Sequence, residues 1–241
     1  MSESDKPRFR RVVRRAPSSS RGRLSWADFR PSELLGTLRA YFGLGRAAPP
    51  EPIVDPDTLA RFIDARASFI AQTSLYGYLR TRAGQRYPEM FENDDFIVSI
   101  NIAKWHMWLA CLSDLSVYSG GLLARRSQLP DAQVQAFMLD LLDQTLARTG
   151  TPAEADAEFP EHALRVRSRV AMTPWHQVED GEGPFHESPT ALVRWAPVVK
   201  TFMAMDEEIV RNSVRFHWKE VRKELREQMV VEGLAGAVAR Y

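Results

Sequence analysis

The sequence predicts an all-α protein: a single-domain helical bundle with a central apolar helix, preceded by a disordered basic N-terminal tail. Three observations predict it. Apolar residues recur at helical spacing through most of the chain after residue 55. The clearest runs open on an acid or a proline and close on a glycine or a basic turn. One run, Phe96 to Leu123, is apolar on nearly every side, as the innermost helix of a bundle should be. With 241 residues and 44% apolar content, the chain can bury a sizeable core.

Residues 1–25 combine Arg clusters with Ser18–Ser20 and show no apolar period, so this segment is expected to be disordered. It shares its Arg and Ser richness with organelle transit peptides, but Glu3 and Asp5 open it and no acid-free amphipathic helix follows. Residues 1–24 hold eight basic residues against those two acids, a local charge of +6 in a chain whose total is +1. Residues 26–54 read as a short amphipathic helix and a Pro-rich linker. Pro31 suits a first helical position, Leu34, Leu35, Leu38, Tyr41 and Phe42 follow at helical spacing, and Gly43 stops the run. Pro49, Pro50, Pro52 and Pro56 mark the linker.

The helical domain is expected over 55–241. Asp55-Pro56 is a sound helix start, because Asp can cap free N–H groups and Pro needs no donor at that position. Leu59, Phe62, Ile63, Phe69, Ile70, Tyr76 and Leu79 then recur up to Gly84. The central helix is placed at about Asp95 to Arg126, and a third helix runs from Pro130 to Gly150. Thr151-Pro152-Ala153-Glu154 matches a capping box and predicts a short acidic helix, interrupted at Pro160. Residues 164–172 alternate apolar and Arg at a strand's period, yet a lone strand has no partner in the chain, so helix or irregular structure is favoured. Residues 173–189 read as loop, and helix follows to the end, broken at Pro197. The last helix carries Val210, Val214, Trp218, Val221, Leu225 and Met229 on one face, with charges elsewhere. That seam suits its own bundle or a second subunit, so a homo-oligomer through the C-terminal helix is one expectation.

The central helix divides into three faces. Trp105, Trp108, Leu112, Leu115 and Leu122 are bulky. Ala103, Ala110, Ser113, Gly120 and Ala124 are small and would admit a neighbouring helix closely. Lys104, Met107, Cys111, Asp114 and Tyr118 mix charge into a buried surface. Each charge at a bilayer centre would cost about 2.5–3.5 kcal/mol, so a buried helix and no membrane span are expected. Lys104 and Asp114 stand about 15 Å apart along the axis and must find partners elsewhere. Arg66, on the apolar stripe of the first helix, is a candidate partner for Asp114. The alternative is an Arg that snorkels to solvent.

His106 has a near-neutral titration range but no carboxylate at i±3 or i±4, which favours a satisfied core histidine. Cys111 is the lone cysteine, so no internal disulfide forms, and Asp114 one turn away would raise its pKa. His176, His186 and the acids between them lack compact metal-ligand spacing. No Glu-x-x-His pair, nucleophile elbow, phosphate loop or dinucleotide fingerprint occurs, and no metal or cofactor is expected.

Two function classes follow. The preferred one is a non-catalytic binding or assembly protein, cytoplasmic, that meets a protein partner or an anionic membrane surface through Arg8, Arg10, Arg11, Arg14, Arg15, Leu34, Leu38 and Phe42. Nucleic acid is not expected, since the chain as a whole is near neutral; Arg outnumbers Lys 27 to 5 throughout, which dilutes the meaning of the tail's own Arg content. The alternative is an enzyme or small-molecule binder with an interhelical pocket of Arg66, Lys104, His106 and Asp114.

Overall fold

Asp55 opens the first helix as its residue type dictates. Its carboxylate accepts from Thr58 N at 2.8 Å, and the Thr58 hydroxyl accepts from Asp55 N at 3.0 Å, so two otherwise orphaned donors are satisfied reciprocally. Pro56 needs no donor there, and Gly84 ends the helix at φ +56°, a conformation costly to other residues. This computed structural model describes residues 51–241, which belong to one compact unit. The basic tail over 1–25 and the amphipathic segment carrying Leu34, Leu38 and Phe42 lie outside the described residues.

The described chain is α-helical. Helix α1 (Pro56–Ala83) passes through a 3₁₀ turn (Gly84–Arg86) into the short α2 (Tyr87–Met90). Then come α3 (Asp94–Ser127), α4 (Asp131–Thr149), α5 (Phe159–Ala171), a second 3₁₀ turn (Trp175–Gln177), α6 (Glu187–Trp195), α7 (Lys200–Gln228) and α8 (Val231–Val238). Among the described residues no strand forms. One isolated bridge pairs Ile53 with Met229, closed by Ile53 N to Gln228 O and Val230 N to Ile53 O, both 2.9 Å. Ile53 is buried there, so packing begins ahead of the expected start at Asp55. Gly233 lets α8 approach this segment, because a Cβ at that position would overlap the Val54 carbonyl.

Helix α3 is the centre. Asn93 caps it by accepting from Phe96 N at 3.0 Å; Asp94 and Asp95 sit at its positive end, and Arg125 and Arg126 at its negative end. Every residue from Ala103 to Ala124 is buried. Its neighbours are α1, α4, α5, α6, α8 and the Trp175–Gln177 turn. This helix is long and apolar enough to cross a membrane, and its apolar stretch is enclosed by the rest of the fold. The two outer helices α1 and α7 pack against each other, and α7 also rests on α6.

Two local expectations need correction, and a third is met. Residues 151–158 form turns, because Glu154 and Asp156 turn inward to polar groups of α3; the helix starts later, at Phe159, with Pro160 in its first turn. The segment 164–172, strand-like in period, takes one of the two favoured forms, helix, within α5 up to Ala171. There Val166 and Val170, four apart, face the core, while Leu164 is exposed. The small face of α3 does not receive only helices. The loop after α5 inserts Trp175 against Gly120 and Val178 against Gly121, where a methyl on either glycine would overlap them.

Candidate functional site

Three polar residues of α3, Lys104, His106 and Asp114, are each held by a separate partner. Lys104 donates to Glu154 at 2.9 Å and to Asn101 at 3.2 Å, and Lys104 holds the Glu154 carboxyl below its usual range. His106, fully buried, sets Nε2 2.9 Å from Asp156 Oδ1 and Nδ1 2.8 Å from His162 Nδ1. Asp156 can only accept, so His106 carries its proton on Nε2, and the bare Nδ1 accepts from His162. Trp195 stacks on the His106 ring, with centroids 3.6 Å apart. Burial lowers the pKa of both imidazoles, that of His162 to about 4, so the pair is neutral at physiological pH. His106 is therefore a satisfied core histidine, oriented by a carboxylate fifty residues further along the chain.

Asp114 is the most elaborately held group. It accepts from Arg169 Nη1 at 2.7 Å, Ser188 N at 2.8 Å, Ser188 Oγ at 2.6 Å and Glu187 N at 3.2 Å. Helix α6 has no capping side chain of its own, so Asp114 on α3 caps it from across the core. Trp218 Nε1 then donates to Ser188 Oγ at 2.9 Å, linking α7 to the same centre. Burial pushes the Asp114 carboxyl up, and the Arg169 charge and the Ser188 hydrogen bonds oppose that push. Burial, and then the Asp114 charge, push the Cys111 thiol well up, which makes it a poor nucleophile.

Arg66 does not meet Asp114. It forms a bidentate pair with Glu224 of α7, with Nε 2.7 Å from Oε2, and its guanidinium lies 5.5 Å from the Phe62 ring centroid. The reason is placement: Arg66 faces the α1–α7 seam, while Asp114 faces α5 and α6. The four candidate residues Arg66, Lys104, His106 and Asp114 thus do not converge on one pocket. A cavity of about 90 Å³ is bounded by Ser113, His162, Arg165, Val166, Arg169 and Glu187, and none of the four lines it. The acids and histidines of 173–189 are likewise dispersed: Asp180 takes Tyr118 and Arg226, and His176 meets Asp131. Among the described residues no three His, Cys, Asp or Glu gather as a metal site would require.

A larger accessible feature lies on the outside, between α1 and α7. A groove of about 420 Å³ is floored by Thr73, Gly77 and Thr81 on one side and by Ile209, Val210 and Ser213 on the other. Ser74 Oγ and His217 Nδ1 lie 3.2 Å apart at one end. At the other, Tyr78 donates to Asp206 at 3.0 Å, with Arg82 3.6 Å from the same carboxylate. Beside the groove, α7 exposes Phe202 (45%), Met205 (75%), Ile209 (73%) and Phe216 (70%). Sequence reasoning found the buried face of this helix and missed the exposed one. Compared with protein-family models, with curated proteins and with solved structures, the chain matches none.

Proposed function

We propose that this chain is a non-catalytic binding or assembly protein whose α1–α7 face holds a macromolecular partner. The observation that carries this reading is the exposure of Phe202, Met205, Ile209 and Phe216 along one side of α7, next to the 420 Å³ groove. A folded chain with a large apolar core has no stability reason to group such side chains in water, and grouped exposed apolar residues mark interaction surfaces. The enzyme reading loses support from the separation of its four residues, each engaged by a different partner.

The test is photocrosslinking in the native cell, with the reactive group at Met205 and, as control, at Met172, which is 74% exposed on another part of the fold. A discrete adduct at Met205 that is absent at Met172 supports the reading; equal labelling, or none, contradicts it. The basic segment Arg8–Arg15 is proposed as a second contact, to an anionic membrane surface, on the support of its charge alone. Co-sedimentation of anionic liposomes with the full chain, but not with a chain lacking residues 1–45, is the expected outcome, and it should weaken at high salt.

A further inference from the structure

We infer that the partner on this face is a second copy of the same chain, which lays its α7 antiparallel along this one. The inference rests on the binding reading above and names its partner.

Along α7, positions 202, 205, 209, 212, 216, 219 and 223 step by alternating threes and fours, which is the seam of a two-stranded coiled coil. It carries Phe202, Met205, Ile209, Asn212, Phe216, Lys219 and Lys223, all exposed. The inward seam of Met203, Val210, Val214, Trp218, Val221 and Leu225 is separately buried in the bundle. Helix α7 is thus doubly amphipathic, with one apolar stripe satisfied at home and one facing solvent. From Phe202 to Phe216 the outer stripe spans about 21 Å at 1.5 Å per residue.

Charge selects the occupant and its direction. A parallel copy would stack Lys219 on Lys219 and Lys223 on Lys223. An antiparallel copy sets Met205 against Phe216 and Ile209 against Asn212, and keeps the lysines apart. On one flank, Glu208 and Arg215 stand seven residues apart, and neither forms an ion pair among the described residues; Arg215 donates to Asn212 at 3.1 Å. In the antiparallel arrangement Glu208 meets the other copy's Arg215, and the two-fold axis repeats the contact. An anionic lipid surface is disfavoured by Asp206, Glu207 and Glu208, which sit within the apolar stretch. One stripe alone falls short of the ~800 Å² per partner of a standard interface. Side chains entering the groove beside Gly77, where a Cβ would meet open space, add to it, and the dimer is expected at micromolar concentrations.

Sedimentation velocity of the full-length chain across micromolar concentrations should show the mass doubling as concentration rises. Ile209→Glu and, separately, Met205→Glu should stay monomeric with an unchanged thermal melt. Leu164→Glu, at an equally exposed apolar residue on α5, should behave as the native chain. Glu208→Arg and Arg215→Glu should each weaken association about tenfold, and mixing those two variants should restore it as a heterodimer. A mixture that stays dissociated overturns the antiparallel pairing. A native chain that stays monomeric, while Met205 crosslinks to a different protein or to lipid, overturns self-association and leaves the binding face standing. A monomer with no crosslink at all overturns both.

Discussion

The interior of α3 and the outer side of α7 have exchanged their usual contents. Inside, Lys104, His106 and Asp114 lie in the most buried part of the fold; outside, Met205, Ile209 and Phe216 stand in water, with Phe202 half exposed beside the Arg82 guanidinium. The difference teaches how to weigh an oddly placed residue. These three groups have partners that account for them: a carboxylate for Lys104, a carboxylate and an imidazole for His106, four donors for Asp114. Their placement is a structural solution that holds α5, α6 and the 151–158 turns onto the central helix. On α7 the apolar side chains stay largely exposed: Phe202 lies under the Arg82 guanidinium, which is 4.1 Å from the ring centroid, while Met205, Ile209 and Phe216 are 75%, 73% and 70% exposed.

If that contrast is right, mutations in the two regions should separate stability from association. The largest effect on folding should come from Asp114→Ala, which leaves Arg169 without its carboxylate and the start of α6 uncapped. A loss of about 3–5 kcal/mol in chemical denaturation is expected, and a loss below about 1 would mean that the network does not hold the core. Gly120→Ala should cost about 2–3 kcal/mol by driving a methyl into Trp175 and Met138, measured the same way; a neutral result would place Trp175 elsewhere in solution.

Acid should come next. In the folded chain, burial depresses the pKa of His106 and His162, the latter to about 4, whereas unfolded histidine titrates near 6.5. Between those values the unfolded chain binds protons that the native chain does not. Stability is therefore complete above pH 6.5 and falls as pH drops toward 4. After burial, His106, Arg165 and Arg194 lower the pKa of His162 further, and Asp156 opposes them. A loss of about 2 kcal/mol from pH 7 to pH 5 is expected from His162, and His162→Gln should flatten that slope. The smallest effect on folding should be that of Ile209→Glu, within about 0.5 kcal/mol of native, even though it abolishes association. A large destabilisation by this variant would move Ile209 from contact surface to core.

Much of the fold was legible because its signals are local. Asp55-Pro56, Gly84, Pro130 and Gly150 mark helix ends through backbone chemistry, and the all-round apolarity of Phe96–Leu123 announces a central helix. The polar partners were not legible, because they come from segments 50 to 74 residues away whose own readings were ambiguous. Arg169 sits where apolar and Arg residues alternate, and Ser188 falls where Pro and Gly suggested loop. The Thr151–Glu154 box matches a helix start locally, but Lys104 of α3 claims the Glu154 carboxylate. The outer seam of α7 was readable in principle: its alternating three and four spacing is in the sequence, hidden beside the stronger seam of Val210, Val214 and Trp218.

Oxidation of two methionines tests the central contrast most directly. Met205 and Met172 are exposed to the same degree in a single copy of the chain, 75% and 74%. Treated with dilute peroxide at rising protein concentration, Met205 should become protected from sulfoxide formation while Met172 keeps its rate. Equal rates for the two at every concentration would contradict the account.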